Sequence, residues 1–119
     1  MKIKSINPYD QSIYFETTQY TDEQIESCVD LSARVFEAWK KVSLPEKSNY
    51  LLKVAGDLKQ NASVYGEIIT KEVGKPITQS IAEIEKCAWV CEYYAKNGAH
   101  FLSEKIVVTD ATNSYVKYE

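Results

Sequence analysis

The signals that start and stop helices constrain this chain more than any other feature of it. Thr21 followed by Gln24 makes a capping box, and Ile25, Cys28, Val29, Ser32, Val35, Phe36, Trp39 and Val42 then recur at three- and four-residue spacing, which places them on one helical face. Ser43 with Glu46 repeats the capping signature. Pro45 suits the first helical turn, where its missing N–H costs nothing, and Leu51, Leu52, Ala55 and Leu58 form the next apolar face. That helix is expected to end near Asn61. Asn61 is in turn expected to cap a third helix through Tyr65, Ile68, Ile69 and Val73, which Gly74 stops by taking the left-handed conformation. After Lys75-Pro76, the positions Ile77, Ile81, Ile84, Ala88, Cys91 and Ala95 alternate spacings of four and three, with Cys87, Val90 and Tyr94 widening the stripe. This is a long fourth helix, with Glu83, Glu85, Glu92 and Lys96 mostly on its other faces. Asn97-Gly98 is expected to weaken or bend it before Phe101-Leu102.

The flanks lean towards strand. Ile3 to Ile6 and Ser12 to Thr18, separated by the turn-forming Asn7-Pro8-Tyr9-Asp10-Gln11, read as a hairpin. Lys105 to Thr109 and Ser114 to Glu119, joined by Asp110-Ala111-Thr112-Asn113, read as two further strands. The fold class is therefore α+β and mostly helical, four helices with flanking β-hairpins. A hairpin arm that runs to the last residue leaves hydrogen-bonding groups for something else to cover, so the chain is expected to be unfinished.

Composition removes several function classes. A formal net charge of -3, with Lys and Arg interspersed among Asp and Glu, offers no basic stripe for a nucleic-acid backbone. Met1 to Gln11 alternates polar and apolar residues without the apolar core of a secretory signal, and no run approaches the ~20 apolar residues of a membrane span. Three cysteines, an odd number without framework or zinc-site spacing, fit a reducing cytoplasm.

The residues capable of chemistry have plainer readings. Cys87 and Cys91 lie one turn apart, a spacing compatible with two metal ligands, but they fall in the apolar stripe and are read as core packing. His100 is the only histidine, which excludes any site needing two, and it is read as a helix-end or surface group. Glu72-Val73-Gly74-Lys75-Pro76 lacks the converging glycines of a phosphate loop and is a helix stop followed by a proline-led start. Trp39 with Phe36, and Trp89 with Tyr93 and Tyr94, are spaced for packing. Periodicity alone names no activity.

Four blocks in order along the chain carry a resemblance. Phe36 to Ser48 resembles the aldehyde dehydrogenase stretch in which an Ala-Phe-x-x-Trp helix precedes a proline and a basic residue. Ile6-Asn7-Pro8 resembles that family's opening Asn-Pro, Glu72 to Pro76 its Glu-x-Gly-Lys-Pro, and Ser114 to Glu119 the strand leading to its Pro-Leu-Gly. Glu85-Lys86-Cys87-Ala88-Trp89-Val90-Cys91 is most similar to the succinate-semialdehyde branch.

The resemblance implies a partial aldehyde dehydrogenase fold (α/β, Rossmann-like). Residues 1–104 would be the helical part of the cofactor-binding domain, and 105–119 the start of the extended arm leading to the oligomerisation domain. It implies oxidation of an aldehyde through a cysteine thiolate, hydride transfer to NAD or NADP, and hydrolysis by a glutamate-activated water. All of those groups would lie beyond Glu119. No cofactor is then expected to bind this chain alone. Its partners would be the remainder of the dehydrogenase or further copies of itself, and the parent would be a homodimer or homotetramer. Two supporting roles carry over by resemblance: Ile6, through its carbonyl, and Glu72 as ligands of a monovalent cation, and Ala82, Lys86 and Trp89 as lining of the substrate tunnel. The alternative is a naturally truncated, non-catalytic helical interaction module.

Overall fold

The computed structural model describes residues 1–118. The order is β1 (Lys2–Ile6), β2 (Ile13–Thr18), α1 (Asp22–Trp39), α2 (Leu44–Gln60), α3 (Ala62–Val73), α4 (Ile77–Phe101), β3 (Lys105–Ile106) and β4 (Tyr115–Val116). β1 and β2 form one antiparallel hairpin and β3 and β4 another.

Each helix boundary has a local cause. Thr21 Oγ1 accepts from Gln24 N while the Gln24 side chain accepts from Thr21 N at 2.9 Å, so the expected capping box is complete. At Ser43 only half of the second box forms: its hydroxyl accepts from Glu46 N at 3.4 Å, and Pro45 occupies the first turn. Asn61 departs from expectation. Its side-chain amide donates backwards to the Asp57 carbonyl at 3.2 Å and carboxylate at 2.9 Å, so it closes α2 instead of capping α3. Tyr65 Oη donates to the same carboxylate at 2.6 Å, which locks the α2–α3 corner. Gly74 stops α3 with φ 72°, as its position requires. α4 runs on through Asn97-Gly98 to Phe101, and the Asn97 side-chain amide donates to Tyr93 O at 2.8 Å.

The terminal strands are shorter than the sequence suggests, two residues each, since neither has a sheet to extend against. Glu119 lies outside the described residues. In the first hairpin the register shifts between Ser5 and Ile6, with Ser5 opposite Phe15 and Ile6 opposite Ile13, leaving Tyr14 as the extra residue of a bulge. The Lys71 ammonium lies 5.6 Å from the Tyr14 ring, so the bulge helps dock the hairpin on α3.

Packing concentrates where α4 lies against α2 and α3. The buried residues there are small: Ala55, Ala62, Gly66, Ser80 and Ala88. Small side chains let helix backbones approach closely, and Gly66 shows how closely. A Cβ added there would stand 2.8 Å from Ile81 Cγ1 and 3.1 Å from Ile81 N. Ser80, wholly buried, is satisfied through Thr70 Oγ1 at 3.1 Å and Pro76 O at 3.3 Å.

From Ile81 to Ala95 the central stripe of α4 read from the sequence is buried or half-buried, Cys91 included, whereas Ile77 at its start is exposed; of the widened edge Val90 is half-buried but Cys87 and Tyr94 are exposed. The core-packing reading is thereby corrected for Cys87, while Cys91 is half-buried. Ala88 is the wholly buried residue on this part of α4, and one position away Cys87 is left exposed among the described residues. α1 departs further. None of its residues is buried, and Val29, Val35 and Phe36 remain more than half exposed, so the amphipathic face it forms is left largely uncovered by the described residues.

Candidate functional site

An open groove of about 860 Å³ runs along α4 from its N-terminal end. Lys75, just before the helix, and Gln79, Ala82, Glu83, Lys86, Cys87, Val90 and Cys91 line it. The α-helical repeat produces it directly, because 79, 83, 87 and 91 form one row at four-residue spacing and 82, 86 and 90 the row beside it.

Its electrostatics are set by three side chains. Lys75 and Glu83 face each other as an ion pair, so their charges largely cancel. Among the described residues Lys86 makes no ion pair, which leaves it as the uncompensated cation of the groove. Further along the helix Glu92 pairs with Lys59 of α2 at 2.6 Å. The hydrogen bond from Lys59 is the main cause holding its carboxyl below the usual glutamate range.

The residues singled out for the substrate tunnel separate. Ala82 and Lys86 are brought together in the groove, whereas Trp89 lies outside its lining, 59% exposed and beside Tyr93 at 6.0 Å between ring centroids. Tyr93 continues to Tyr94 and Phe101, making an aromatic surface on the C-terminal half of α4. Trp39 pairs with Tyr50 at 5.5 Å rather than with Phe36, and Lys47 covers it at 5.6 Å. His100 sits in the last turn of α4, exposed, as expected of a helix-end group. Sequence reasoning missed Lys75, Gln79 and Glu83 as groove residues. Their signal was the row of four-residue spacings continuing through Cys87, but it is polar and therefore looks like a solvated face.

Ile6 and Glu72 stand at the end of β1 and in the last turn of α3. Their segments meet at one corner: a Cβ on Gly74 would lie 2.9 Å from Pro8 Cγ, so Gly74 is needed for close approach as well as for its positive φ. A carbonyl and a carboxylate offer hard oxygens that suit a hard cation, but only two of them. Among the described residues no group of three or more His, Cys, Asp or Glu gathers to hold a metal. A dinucleotide fits less well still. Among the described residues both sheets are two-stranded antiparallel hairpins, and no strand–glycine turn–helix forms to hold a pyrophosphate.

A mostly helical segment with a bulged N-terminal hairpin and a long α4 bearing this groove is a recognisable part of one architecture. The chain belongs to the aldehyde dehydrogenase family, whose model matches residues 1–119. It is 30% identical over its full length to a probable NADP-dependent succinate-semialdehyde dehydrogenase of Synechocystis, covering 26% of that protein. It is 28% identical, over 95% of its length, to an NADP-dependent glyceraldehyde-3-phosphate dehydrogenase of Apium graveolens, covering 23% of it. The crystal structure of succinic semialdehyde dehydrogenase from Streptococcus pyogenes in complex with NADP+ superposes with a TM-score of 0.88 at 28% identity, over 94% of this chain and 25% of that one. The chain thus spans about a quarter of the length of the relatives it matches. The fold is part of the aldehyde dehydrogenase fold.

Proposed function

We propose that this chain forms the helical lead-in to the cofactor-binding domain of a cytoplasmic, NAD(P)-dependent aldehyde dehydrogenase that oxidises an acidic aldehyde, succinate semialdehyde, to the carboxylic acid. The family match across residues 1–119 carries the reading. Residues 1–104 belong to the cofactor domain and 105–119 begin the arm to the oligomerisation domain. The end of α4 at Phe101, followed by a new hairpin from Lys105, supports that division. The nicotinamide cofactor belongs to the whole enzyme. Three free cysteines suit a reducing compartment, and no described helix is long and apolar enough to cross a membrane.

For the acidic substrate the support is electrostatic. Lys86 is the uncompensated cation of the groove, and a carboxylate at the far end of the aldehyde is the group it would attract. Ala82 beside it leaves room for the chain of the substrate, and Trp89 would border the tunnel from the adjoining aromatic surface. Ile6 O and Glu72 would contribute two ligands to a monovalent cation completed by groups outside the described residues.

The test uses the intact enzyme with succinate semialdehyde and a neutral aldehyde of similar length, each with NAD+ and NADP+. Lys86→Ala is expected to lower the preference for the acid, as a ratio of kcat/KM, by roughly twofold to fivefold, the worth of a partly screened charge pair. Equal effects on both aldehydes would remove Lys86 from the substrate site. Failure of the intact protein to oxidise any aldehyde would remove the dehydrogenase reading.

A further inference from the structure

Cys87 and Cys91 both line the α4 groove and play no part in the proposed substrate site. Free cysteine is among the most buried of residue types, yet Cys87 is exposed, Cys91 is half-buried, and both line the α4 groove. They stand one helical turn apart on a helix held in place by α2 and α3. Neither is engaged in a disulfide.

Helix geometry decides what such a pair can hold. Residues four apart on a helix have Cβ atoms about 5–6 Å from each other. A disulfide needs about 3.5–4.5 Å. Direct oxidation would therefore have to distort α4, whereas a single atom bonded to both sulfurs lengthens the bridge and spans the gap with the helix intact. Thiolates prefer soft centres. Among the described residues no third ligand gathers, so the pair suits a centre that two sulfurs satisfy and that carries its remaining group itself.

We propose that Cys87 and Cys91 form a two-thiol site for a soft, thiophilic centre of this kind, represented by a monosubstituted trivalent arsenical. In the reaction two S–H and two As–O bonds of the arsonous acid break, two As–S bonds form, and two waters leave. The arsenic stays trivalent, so no oxidant or reductant is needed. Cys28 lies on α1, away from the groove lining, and provides an internal control. This proposal stands independently of the dehydrogenase reading.

The experiment titrates the reduced 119-residue chain with phenylarsonous acid and follows adduct mass, affinity and thermal unfolding for the wild type, Cys28→Ser, Cys87→Ser and Cys91→Ser. The wild type and Cys28→Ser are expected to form a one-to-one adduct with helical circular dichroism unchanged and an increased Tm, as binding to the folded state requires. Cys87→Ser and Cys91→Ser are expected to bind roughly 10²- to 10⁴-fold more weakly, because the second bond is no longer intramolecular. Dependence on Cys28, equal affinity in all four proteins, or a lowered Tm with loss of helix on binding would each overturn the site.

Discussion

Gly56 and Gly66 lie inside neighbouring helices and carry the same helix-propensity penalty, but their surroundings give them opposite roles. Nothing lies within 4 Å of a Cβ placed on Gly56, whereas one on Gly66 collides with Ile81 side chain and backbone. Gly66→Ala is therefore expected to destabilise the α2–α4 unit by about 1–3 kcal/mol, the usual range for overpacking a closed contact. Gly56→Ala is expected to stabilise it by about 0.5–1 kcal/mol, since alanine restricts the unfolded chain at no steric cost in the folded one. Urea midpoints of the two variants give the test, and a Gly66→Ala protein as stable as the parent would mean that α3 and α4 are not in close contact. The cysteine pair belongs to the same scale, because one residue of offset around α4 decides between the core, where Ala88 is wholly buried, and the groove, where Cys87 is exposed.

At the scale of elements, the Lys59–Glu92 pair joins α2 to α4, and its direction with pH is fixed by the Glu92 carboxyl. A carboxyl held lower in the folded chain than in the unfolded one contributes stability that is present above the unfolded pKa and lost as pH falls through the folded pKa. Stability is expected to drop across the acid side of the glutamate range, and Glu92→Gln is expected to reduce that slope. Urea midpoints against pH for both proteins measure it, and identical slopes would show that the pair is screened out. α1 has a complete capping box but no buried residue, so its helix is held locally rather than by the core. Amide hydrogen exchange in α1 is expected to be at least about tenfold faster than in the central turns of α4. Equal protection would mean that α1 docks on the helical unit.

At the scale of the molecule, the surface area and shape tell how much is left uncovered. The accessible surface is 9673 Å², where a compact monomer of this mass presents about 6,600 Å². The radius of gyration is 20.7 Å, against about 13.5 Å for a compact domain of this length. The excess lies in the α1 face, the terminal hairpin and the aromatic surface of Trp89, Tyr93, Tyr94 and Phe101. Exposed apolar patches on this scale favour association. Sedimentation of the 119-residue chain is expected to show a mass rising above that of the monomer as concentration increases; a compact monomer throughout would show that the chain covers these faces by rearranging.

The amino-acid sequence by itself determined where helices begin and end, since capping hydroxyls, Pro45 and Gly74 act within a turn of their own positions and do not depend on distant contacts. It also determined the central stripe of α4 and, through four ordered blocks, the family. It misplaced what depends on a neighbour's presence: Asn61 turned to Asp57, the terminal strands shrank, and Cys87 emerged from the core. Tertiary structure alone decided that α4 meets α2 and α3 through alanine, glycine and serine. It also decided that Ala82 and Lys86 share a groove from which Trp89 is absent, because periodicity gives the angle of a side chain around its helix but not which arc another helix will cover.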